Sequence, residues 1–283
     1  MLLETKQKTL KNETVFSGKA LQSGVEVKVV CMPATENTGI VFKRVDLEGA
    51  PEINLAKGLF SGNRERRTTI GYDGTEVQTV EHLLAALWAL EIDNIVVEIN
   101  NIELPALDGS AIDFFCELEK AGIKEQTQNR KTLKVTEPET IKDGDREISV
   151  FPDDVFGVVY SIDYPTPSIR KETFEIKPDK EVFFKELAPA RTFCLKEEAE
   201  ALLRSGLGKG ATYENTLIMD VNGPIETTLR FANEPVRHKV LDLIGDFYIL
   251  GIPIIGKVSA NKSGHGLNLR MIKRLYEKYI SIE

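Results

Sequence analysis

The chemistry-bearing residues of this 283-residue chain are its three histidines, since each lies in a distinctive local pattern. His82 directly follows Glu81 in the segment TVEHLL. His238 precedes Asp242 by four residues in HKVLD, and His265 lies between two glycines in SGHG. Imidazole and carboxylate groups are donors that Zn²⁺ commonly takes in proteins. The patterns predict a mononuclear metal site with an acid–base pair beside it.

A row of ionisable residues at His238, Asp242 and Asp246 is the first candidate constellation. Spacings of four place the three side chains on one face of a helix, one turn apart. Such a row in an otherwise apolar helix is costly unless its members are solvated, paired or bound to a metal. Taken alone it is more often a solvated polar stripe, but His238 and Asp242 could also bind one Zn²⁺.

The other two histidines suggest different roles. Adjacent helical residues point about 100° apart, so Glu81 and His82 seldom bind the same metal. The useful arrangement gives the metal to His82 and leaves Glu81 as general base. Flanking glycines let His265 approach a substrate, where a nearby carboxylate would keep it charged to stabilise an oxyanion or protonate a leaving group. A surface Glu-His dipeptide and an exposed loop histidine are the ordinary alternatives.

Combining the patterns favours a catalytic site. A catalytic Zn²⁺ usually takes three protein ligands and keeps one position open for water. His82, His238 and Asp242 supply two nitrogens and one oxygen, which leaves Glu81 as base and His265 as the charged partner. Structural zinc sites are instead closed by a fourth ligand, often cysteine, and this chain has no clustered cysteines.

Composition limits the other function classes. The net charge of −8, from 36 Lys+Arg against 44 Asp+Glu, argues against a general nucleic-acid binder. Cys31, Cys116 and Cys194 are far apart, which predicts no disulfides and a reducing compartment. The N-terminus lacks a signal-peptide core, and no apolar run approaches the ~20 residues of a membrane span. We therefore expect a cytoplasmic protein without a transmembrane segment.

The chain divides into two halves with the same order of elements, which predicts an α+β fold. We expect two similar α+β domains, 1–127 and 128–283, that meet at a shared cleft, with each contributing one helix end to the metal site. The polar stretch 125–131 is the candidate linker between them. In the first half we expect strands at 25–31, 39–45 and 95–99, a helix at 78–90 capped by Thr79, and a helix at 111–121 capped by Asp108 or Ser110. In the second half we expect strands at 132–135, 147–150, 155–162, 171–176 and 253–258, and helices at 235–250 and 267–279.

Five segments in the right order resemble the UDP-3-O-acyl-N-acetylglucosamine deacetylase family. They are TVEHLLAAL at 79–87, PALDGS at 105–110, ARTFC at 190–194, RHKVLDLIGD at 237–246 and GHGLN at 264–268. The resemblance implies an α+β fold of two similar sheet-plus-helices domains packed as a sandwich, with Zn²⁺ at their interface. It also implies a zinc-dependent deacetylase of the committed step of lipid A biosynthesis in Gram-negative bacteria. Its substrate would be UDP-3-O-(3-hydroxyacyl)-N-acetylglucosamine, from which it releases acetate. Fe²⁺ could occupy the same ligands as Zn²⁺.

The resemblance also assigns roles to individual residues. The implied metal ligands are His82, His238 and Asp242. The implied catalytic residues are Glu81, His265, Asp246, which orients His265, and Thr192, whose hydroxyl helps to hold the tetrahedral intermediate. The implied substrate contacts are Lys239 near the anionic portion, Phe193 near the nucleotide sugar, and Leu207. An insert near 194–217 would build a passage for the acyl chain, with Leu202, Leu203, Leu207 and Ala211 as candidate lining residues. The family often has a histidine in the early glycine-flanked turn, where this chain has Gln22.

Three alternatives to this function stay open on the sequence. The first is a zinc amidohydrolase that acts on a different acylated amine. The second is a non-catalytic binding protein with a structural metal, and the third is a scaffold in which the histidines are incidental. We expect a monomer whose partner is the UDP-linked acylated glucosamine, with no nucleic-acid partner.

Overall fold

The computed structural model describes residues 5–55 and 67–280. Within these residues the chain is a mixture of strands and helices. The helices are α1 (Glu81–Ala89), α2 (Ile112–Ala121), α3 (Lys180–Glu186), α4 (Lys196–Arg204), α5 (Glu234–Phe247) and α6 (His265–Tyr279). The strands of the first half are β1 (Lys6–Leu10), β2 (Thr14–Lys19), β3 (Glu26–Pro33), β4 (Ile40–Arg44), β5 (Glu52–Asn54), β6 (Thr69–Tyr72), β7 (Thr75–Gln78), β8 (Ile95–Ile99) and β9 (Ile123–Asn129). Those of the second half are β10 (Leu133–Lys134), β11 (Glu139–Asp143), β12 (Arg146–Phe151), β13 (Gly157–Ile162), β14 (Glu172–Ile176), β15 (Phe193–Leu195), β16 (Leu217–Asp220), β17 (Gly223–Pro224), β18 (Ile254–Ile255) and β19 (Lys257–Asn261).

Two five-stranded sheets share one topology. Their strand orders are β2-β3-β8-β4-β5 and β11-β12-β19-β13-β14. The β8–β4 and β19–β13 pairs are parallel, whereas the other neighbours in these sheets are antiparallel. In each half, four strands are followed by a helix, by the strand that enters the middle of the sheet, and by a second helix. The internal symmetry and the α+β class predicted from element order are therefore confirmed.

The helices pack on the sheets and on one another. Helix α2 contacts β2, α5 contacts β13 and β14, α6 contacts β11 and β12, and α1 packs against α5. A Cβ atom added to Gly245 would lie 1.9 Å from the carbonyl oxygen of Glu81, so α1 and α5 meet in direct backbone contact that only glycine allows. This crossing brings the start of α1 against the middle of α5, where the candidate ligands lie.

The two halves differ in what precedes α1 and α5. A β6–β7 hairpin occupies this place in the first half, and the segment from α3 to β17 occupies it in the second. Strand β15 pairs in parallel with β16, and α4 connects from the end of β15. Every residue of α4 is at least partly exposed. The predicted insert at 194–217 therefore folds as most of β15, the peripheral helix α4 and the loop that returns to β16.

Several local predictions were wrong. The candidate linker 125–131 largely forms β9, which pairs antiparallel with β1, and its mostly exposed polar residues gave no strand pattern. The strand predicted at 253–258 is interrupted at Gly256, where an added Cβ would lie 2.9 Å from the carbonyl oxygen of Phe151. His265 is not in a loop, because it is the first residue of α6.

The start of α1 also differs from the prediction. The helix begins at Glu81, Val80 occupies the N-cap position, and Thr79 has a left-handed φ of 59°. The backbone N–H of Thr79 donates to the Thr68 carbonyl oxygen at 2.8 Å. A β-branched residue in this region carries strain of about 1–3 kcal/mol. The strain lies two residues before the candidate base, at the point where the chain enters the site.

The cysteines and helices give two further findings. All three cysteines are free; Cys31 and Cys194 are buried, and Cys116 is exposed.

Among the helices of the described residues, none has both the length and the apolar character needed to cross a membrane.

Candidate active site and metal centre

Three donors from α1 and α5 converge on a single point. The Nε2 atom of His238 lies 3.2 Å from Oδ1 of Asp242, and Nε2 of His82 lies 3.5 Å from the same oxygen. A tetrahedral ion with bonds of about 2.1 Å separates its ligand atoms by roughly 3.4 Å. All three side chains are buried, and one donor atom from each lies within 4.8 Å of the others. The donor set therefore fits a divalent metal ion.

The protonation states of His238 and Asp242 suit metal binding. The Nδ1 atom of His238 lies 3.0 Å from the Ala190 carbonyl oxygen and donates to it, which leaves Nε2 free to accept. Burial lowers the pKa of His238 to about 3, so its ring is neutral at pH 7. Burial works in the opposite direction on Asp242, but the charge of Lys239 holds its pKa well below the usual range. Neutral imidazole and carboxylate are the forms that bind a metal.

Lys239 forms an ion pair with the second oxygen of the Asp242 carboxylate. Its Nζ donates to Oδ2 of Asp242 at 2.6 Å and lies 5.8 Å from the centre of the Phe193 ring. Burial disfavours its charge, but the Asp242 carboxylate raises the pKa of Lys239 above its ordinary value. Asp242 therefore presents Oδ1 to the histidines and Oδ2 to a permanent cation.

His265 and Asp246 form a second buried pair. The Nδ1 atom of His265 lies 3.1 and 3.0 Å from the two carboxylate oxygens of Asp246, which is fully buried. Asn268 donates its Nδ2 to Asp246 at 2.8 Å, and the Thr68 hydroxyl donates to the other oxygen. Burial opposes a charge on His265, but Asp246 outweighs it and raises the pKa of His265 to about 9. The ring is therefore an imidazolium at pH 7, with Nε2 directed away from Asp246.

Glu81 faces this imidazolium across the site. Its Oε1 lies 4.0 Å from Nε2 of His265, while its Oε2 accepts the backbone N–H of Thr68 at 3.2 Å. Burial raises the pKa of Glu81, and electrostatic interactions with His265 and His82 oppose that rise. A carboxylate and an imidazolium thus flank the candidate metal site from one side.

A cavity of about 820 Å³ joins these groups. Its polar wall is formed by Glu81, His82, Thr192, His238, Asp242 and His265. Its apolar wall comes from the region of α4, where Leu202, Leu203 and Ala211 face the same space. The arrangement can hold a molecule with a reactive polar end and an apolar extension, and it provides a base and an acid for hydrolysis.

Comparison with known proteins agrees with this chemistry. The sequence profile of the family described as UDP-3-O-acyl N-acetylglycosamine deacetylase matches residues 7–277. The chain is 42% identical over 273 residues to the UDP-3-O-acyl-N-acetylglucosamine deacetylase of Geotalea uraniireducens, covering 96% of this chain and 89% of that protein. It is 41% identical over 276 residues to the enzyme of the same name from Saccharophagus degradans, covering 96% and 91% respectively.

The chain belongs to this family of deacetylases. A third relative with the same name, from Thermodesulfovibrio yellowstonii, is 36% identical over 271 residues and is covered over 92% of its length. The family consists of metalloenzymes that hydrolyse an amide bond. The resemblance seen in the sequence motifs is thus confirmed.

The structure brings together most of the residues that the sequence singled out. The predicted metal ligands, Glu81, His265, Thr192, Lys239 and Phe193 all line the cavity of this deacetylase family member. Asp246 lies behind His265 rather than in the cavity wall formed by the described residues. Leu207 also lies outside that wall, although its neighbours Leu203 and Gly208 belong to it.

Sequence reasoning missed two residues of the site. Asn268 lies three residues after His265, so helical spacing could have placed both on one face of α6. Thr68 is fully buried and contacts Glu81, Asp246 and His265 through its backbone and hydroxyl groups. It lies 13 residues before Glu81 with no periodic relation to it, so only the tertiary fold reveals its position.

Proposed function

We propose that this protein hydrolyses the N-acetyl group of UDP-3-O-(3-hydroxyacyl)-N-acetylglucosamine and releases acetate, the committed step of lipid A biosynthesis. The observation that carries the proposal is a buried site in which the Glu81 carboxylate and the His265 imidazolium lie beside three metal donors. The chain that holds this site matches the deacetylase family over residues 7–277. The apolar wall beside the site suits a substrate with an acyl chain.

We propose Zn²⁺ as the metal, held by His82, His238 and Asp242, with Fe²⁺ compatible with the same donors. When bound, the metal would polarise the amide carbonyl and activate water. His82 comes from the proposed domain 1–127 and the other two ligands from 128–283. The α1–α5 contact would then assemble the ligand set from both domains.

Glu81 is the proposed general base. Its oxygen would take a proton from the attacking water, and the upward shift of its pKa by burial brings it closer to the working pH, where a base is most efficient. His265 would donate from Nε2 to the developing oxyanion or to the leaving amine. Asp246 would hold the His265 ring in place and keep it charged.

The remaining residues of the site would bind the substrate. The Thr192 hydroxyl would be a second donor to the oxyanion, and such donors often contribute about 3 kcal/mol each to transition-state stabilisation. Lys239 would attract the anionic portion and Phe193 would contact the nucleotide sugar. Leu207 is a proposed acyl contact, next to Gly208, which lines the cavity. The cytoplasmic location and the monomeric state expected from the sequence stay predictions.

Acetate release tests the proposal directly. We expect turnover of the UDP-linked acylated substrate, loss of turnover with a chelator, and its return with added Zn²⁺. The matched comparison is an N-acetylated, acylated glucosamine that lacks UDP. Equal kcat/KM for both would contradict the nucleotide-sugar assignment and favour an amidohydrolase of other acylated amines. UDP alone should also raise the melting temperature, since it would bind only the folded protein.

A further inference from the structure

Gln22 connects the early turn of the chain to the loop that follows α4. Its side-chain oxygen accepts the backbone N–H of Gly208 at 3.2 Å, and its carbonyl oxygen accepts the N–H of Lys209, also at 3.2 Å. The Leu21 carbonyl oxygen accepts the N–H of Gly210 at 3.0 Å. Three consecutive amides of the loop therefore bond to two consecutive residues of the turn, although Gln22 and Gly208 are 186 positions apart in the chain.

The two segments also meet at backbone distance. A Cβ atom added to Gly210 would lie 2.1 Å from the Ala20 carbonyl oxygen, and one added to Gly24 would lie 3.0–3.2 Å from atoms of Lys209. A contact of 2.1 Å with a main-chain atom cannot be relieved by a side-chain rotation, so any larger residue at position 210 must displace the loop. The contact thus depends on glycine on the loop side.

A buried carboxylate holds the turn from behind. Glu103 is 1% exposed and accepts the backbone N–H of Gln22 at 2.9 Å, together with the N–H and hydroxyl of Ser23 at 3.2 and 3.3 Å. The hydroxyl of Thr79, two residues before Glu81, also donates to it at 3.3 Å. The turn that receives the loop is therefore anchored to the segment that carries the candidate base.

The α4 helix packs on β15 and β16, but none of its residues is fully buried. Leu203 is 60% exposed. On its N-terminal side, β15 is bound to β16, and on its C-terminal side the loop bonds to Leu21 and Gln22. Leu202, Leu203, Gln22 and Gly208 all line the catalytic cavity, so the loop–turn contact closes one part of its wall.

We propose that Gln22 and Gly210 determine acyl-chain specificity by locking the α4 region against the early turn, a proposal that rests on the proposed function. The lock holds Leu202 and Leu203 in the wall where distal carbons of an acyl chain would pack. A longer chain reaches more of this wall than a shorter chain does. Loosening the lock therefore weakens selection between chain lengths and leaves the reacting groups in place.

The test compares kcat/KM for a long-acyl and a short-acyl substrate with the same UDP-glucosamine head. Gln22→Met keeps side-chain length and removes the acceptor for Gly208. We expect the long-to-short ratio to fall roughly fivefold, since one lost hydrogen bond of ordinary strength has about this effect. Metal content should not change, and kcat/KM should fall more for the long-acyl substrate than for the short-acyl one. Val25→Ala, at a half-exposed position of the same turn, is the matched control.

Gly210→Ala tests the same contact from the loop side, with Gly18→Ala as control, because a Cβ at Gly18 meets its nearest atoms at an ordinary 3.6 Å. Amide hydrogen exchange of Gly208 and Lys209 reports the lock independently of activity, and we expect faster exchange in Gly210→Ala. An unchanged long-to-short ratio in variants whose loop amides exchange faster would overturn the proposal. A wild-type protein that deacetylates neither substrate would refute the proposed function instead.

Discussion

Arg130 offers a quantitative test of how the two halves are joined. Its side chain is 7% exposed, and its Nε lies 2.7 Å from Oδ1 of Asp93. It also contacts the Tyr248 hydroxyl at 3.3 Å, and that hydroxyl donates to the Ile92 carbonyl oxygen at 2.9 Å. Residues 92 and 93 follow α1 and Tyr248 follows α5. Arg130 therefore connects the C-terminal ends of the two helices that carry the candidate ligands.

Replacing Arg130 with methionine keeps much of the aliphatic stem and removes the charge. Loss of one partner of a buried ion pair costs about 3–5 kcal/mol, because the other charge stays buried. Asp93 keeps one bond, from the Lys8 backbone N–H at 2.9 Å, so we expect the low end, about 3 kcal/mol. At about 2–4 °C per kcal/mol for a chain of this size class, the melting temperature should fall by about 6–12 °C.

The loss should depend on pH in a defined direction. Burial already raises the pKa of Asp93 above 3.8 despite Arg130, and removing Arg130 must raise it further. A carboxyl group whose folded-state pKa exceeds its unfolded-state pKa binds more protons in the folded state, so stability decreases as pH rises through that window. The deficit of Arg130→Met should therefore shrink as pH falls from 7 toward the unfolded-state value near 3.8.

Urea denaturation at neutral and mildly acidic pH measures both effects. The double variant Arg130→Met/Asp93→Asn is the control, and it should recover part of the loss because it removes the stranded carboxylate. A deficit under about 1 kcal/mol at pH 7 would match an exposed pair and refute the buried-pair reasoning. A deficit that grows as pH falls would also refute it.

Three further variants test the site. Glu81→Gln should keep its metal by elemental analysis and lose about 10²–10⁴-fold in kcat, the range typical of a general base; near-normal kcat would remove Glu81 from that role. Thr68→Val preserves volume but removes the hydroxyl shared by Asp246 and His265. It should lower kcat about tenfold at unchanged metal content, whereas a change in metal content alone would contradict the positioning role. Gly245→Ala should force α1 and α5 apart and weaken metal affinity, as measured by chelator competition; wild-type affinity would show that the helix crossing does not position the ligands.

Local spacing explains why the metal donors could be predicted. His238 and Asp242 share a helix, and an i, i+4 relation is a contact that sequence alone specifies. Their burial excludes a solvated polar stripe and favours a ligand pair, because the His238 and Asp242 residues are only 2% and 3% exposed. Sequence periodicity could not supply that number, because the α1–α5 crossing at Gly245 creates the burial.

The missed features all depend on contacts distant in sequence. Thr68 reaches Asp246 across 178 residues, and Gln22 reaches Gly208 across 186. Strand β9 is polar and mostly exposed, so it forms by pairing with β1 rather than by any apolar alternation of its own. The repeated topology of the two sheets was visible in the sequence only as a repeated order of elements, because strand pairing is set by tertiary packing.

The metal content of purified protein, measured together with acetate release, tests the central claim most directly. We predict one bound metal ion per wild-type chain, with turnover that is lost on chelation and restored by Zn²⁺. The Asp242→Ala variant should hold much less metal and lose turnover, because Oδ1 of Asp242 lies 3.2 and 3.5 Å from the two histidine donors. Full metal occupancy in that variant, or wild-type turnover that survives chelation, would contradict a deacetylase built on His82, His238 and Asp242.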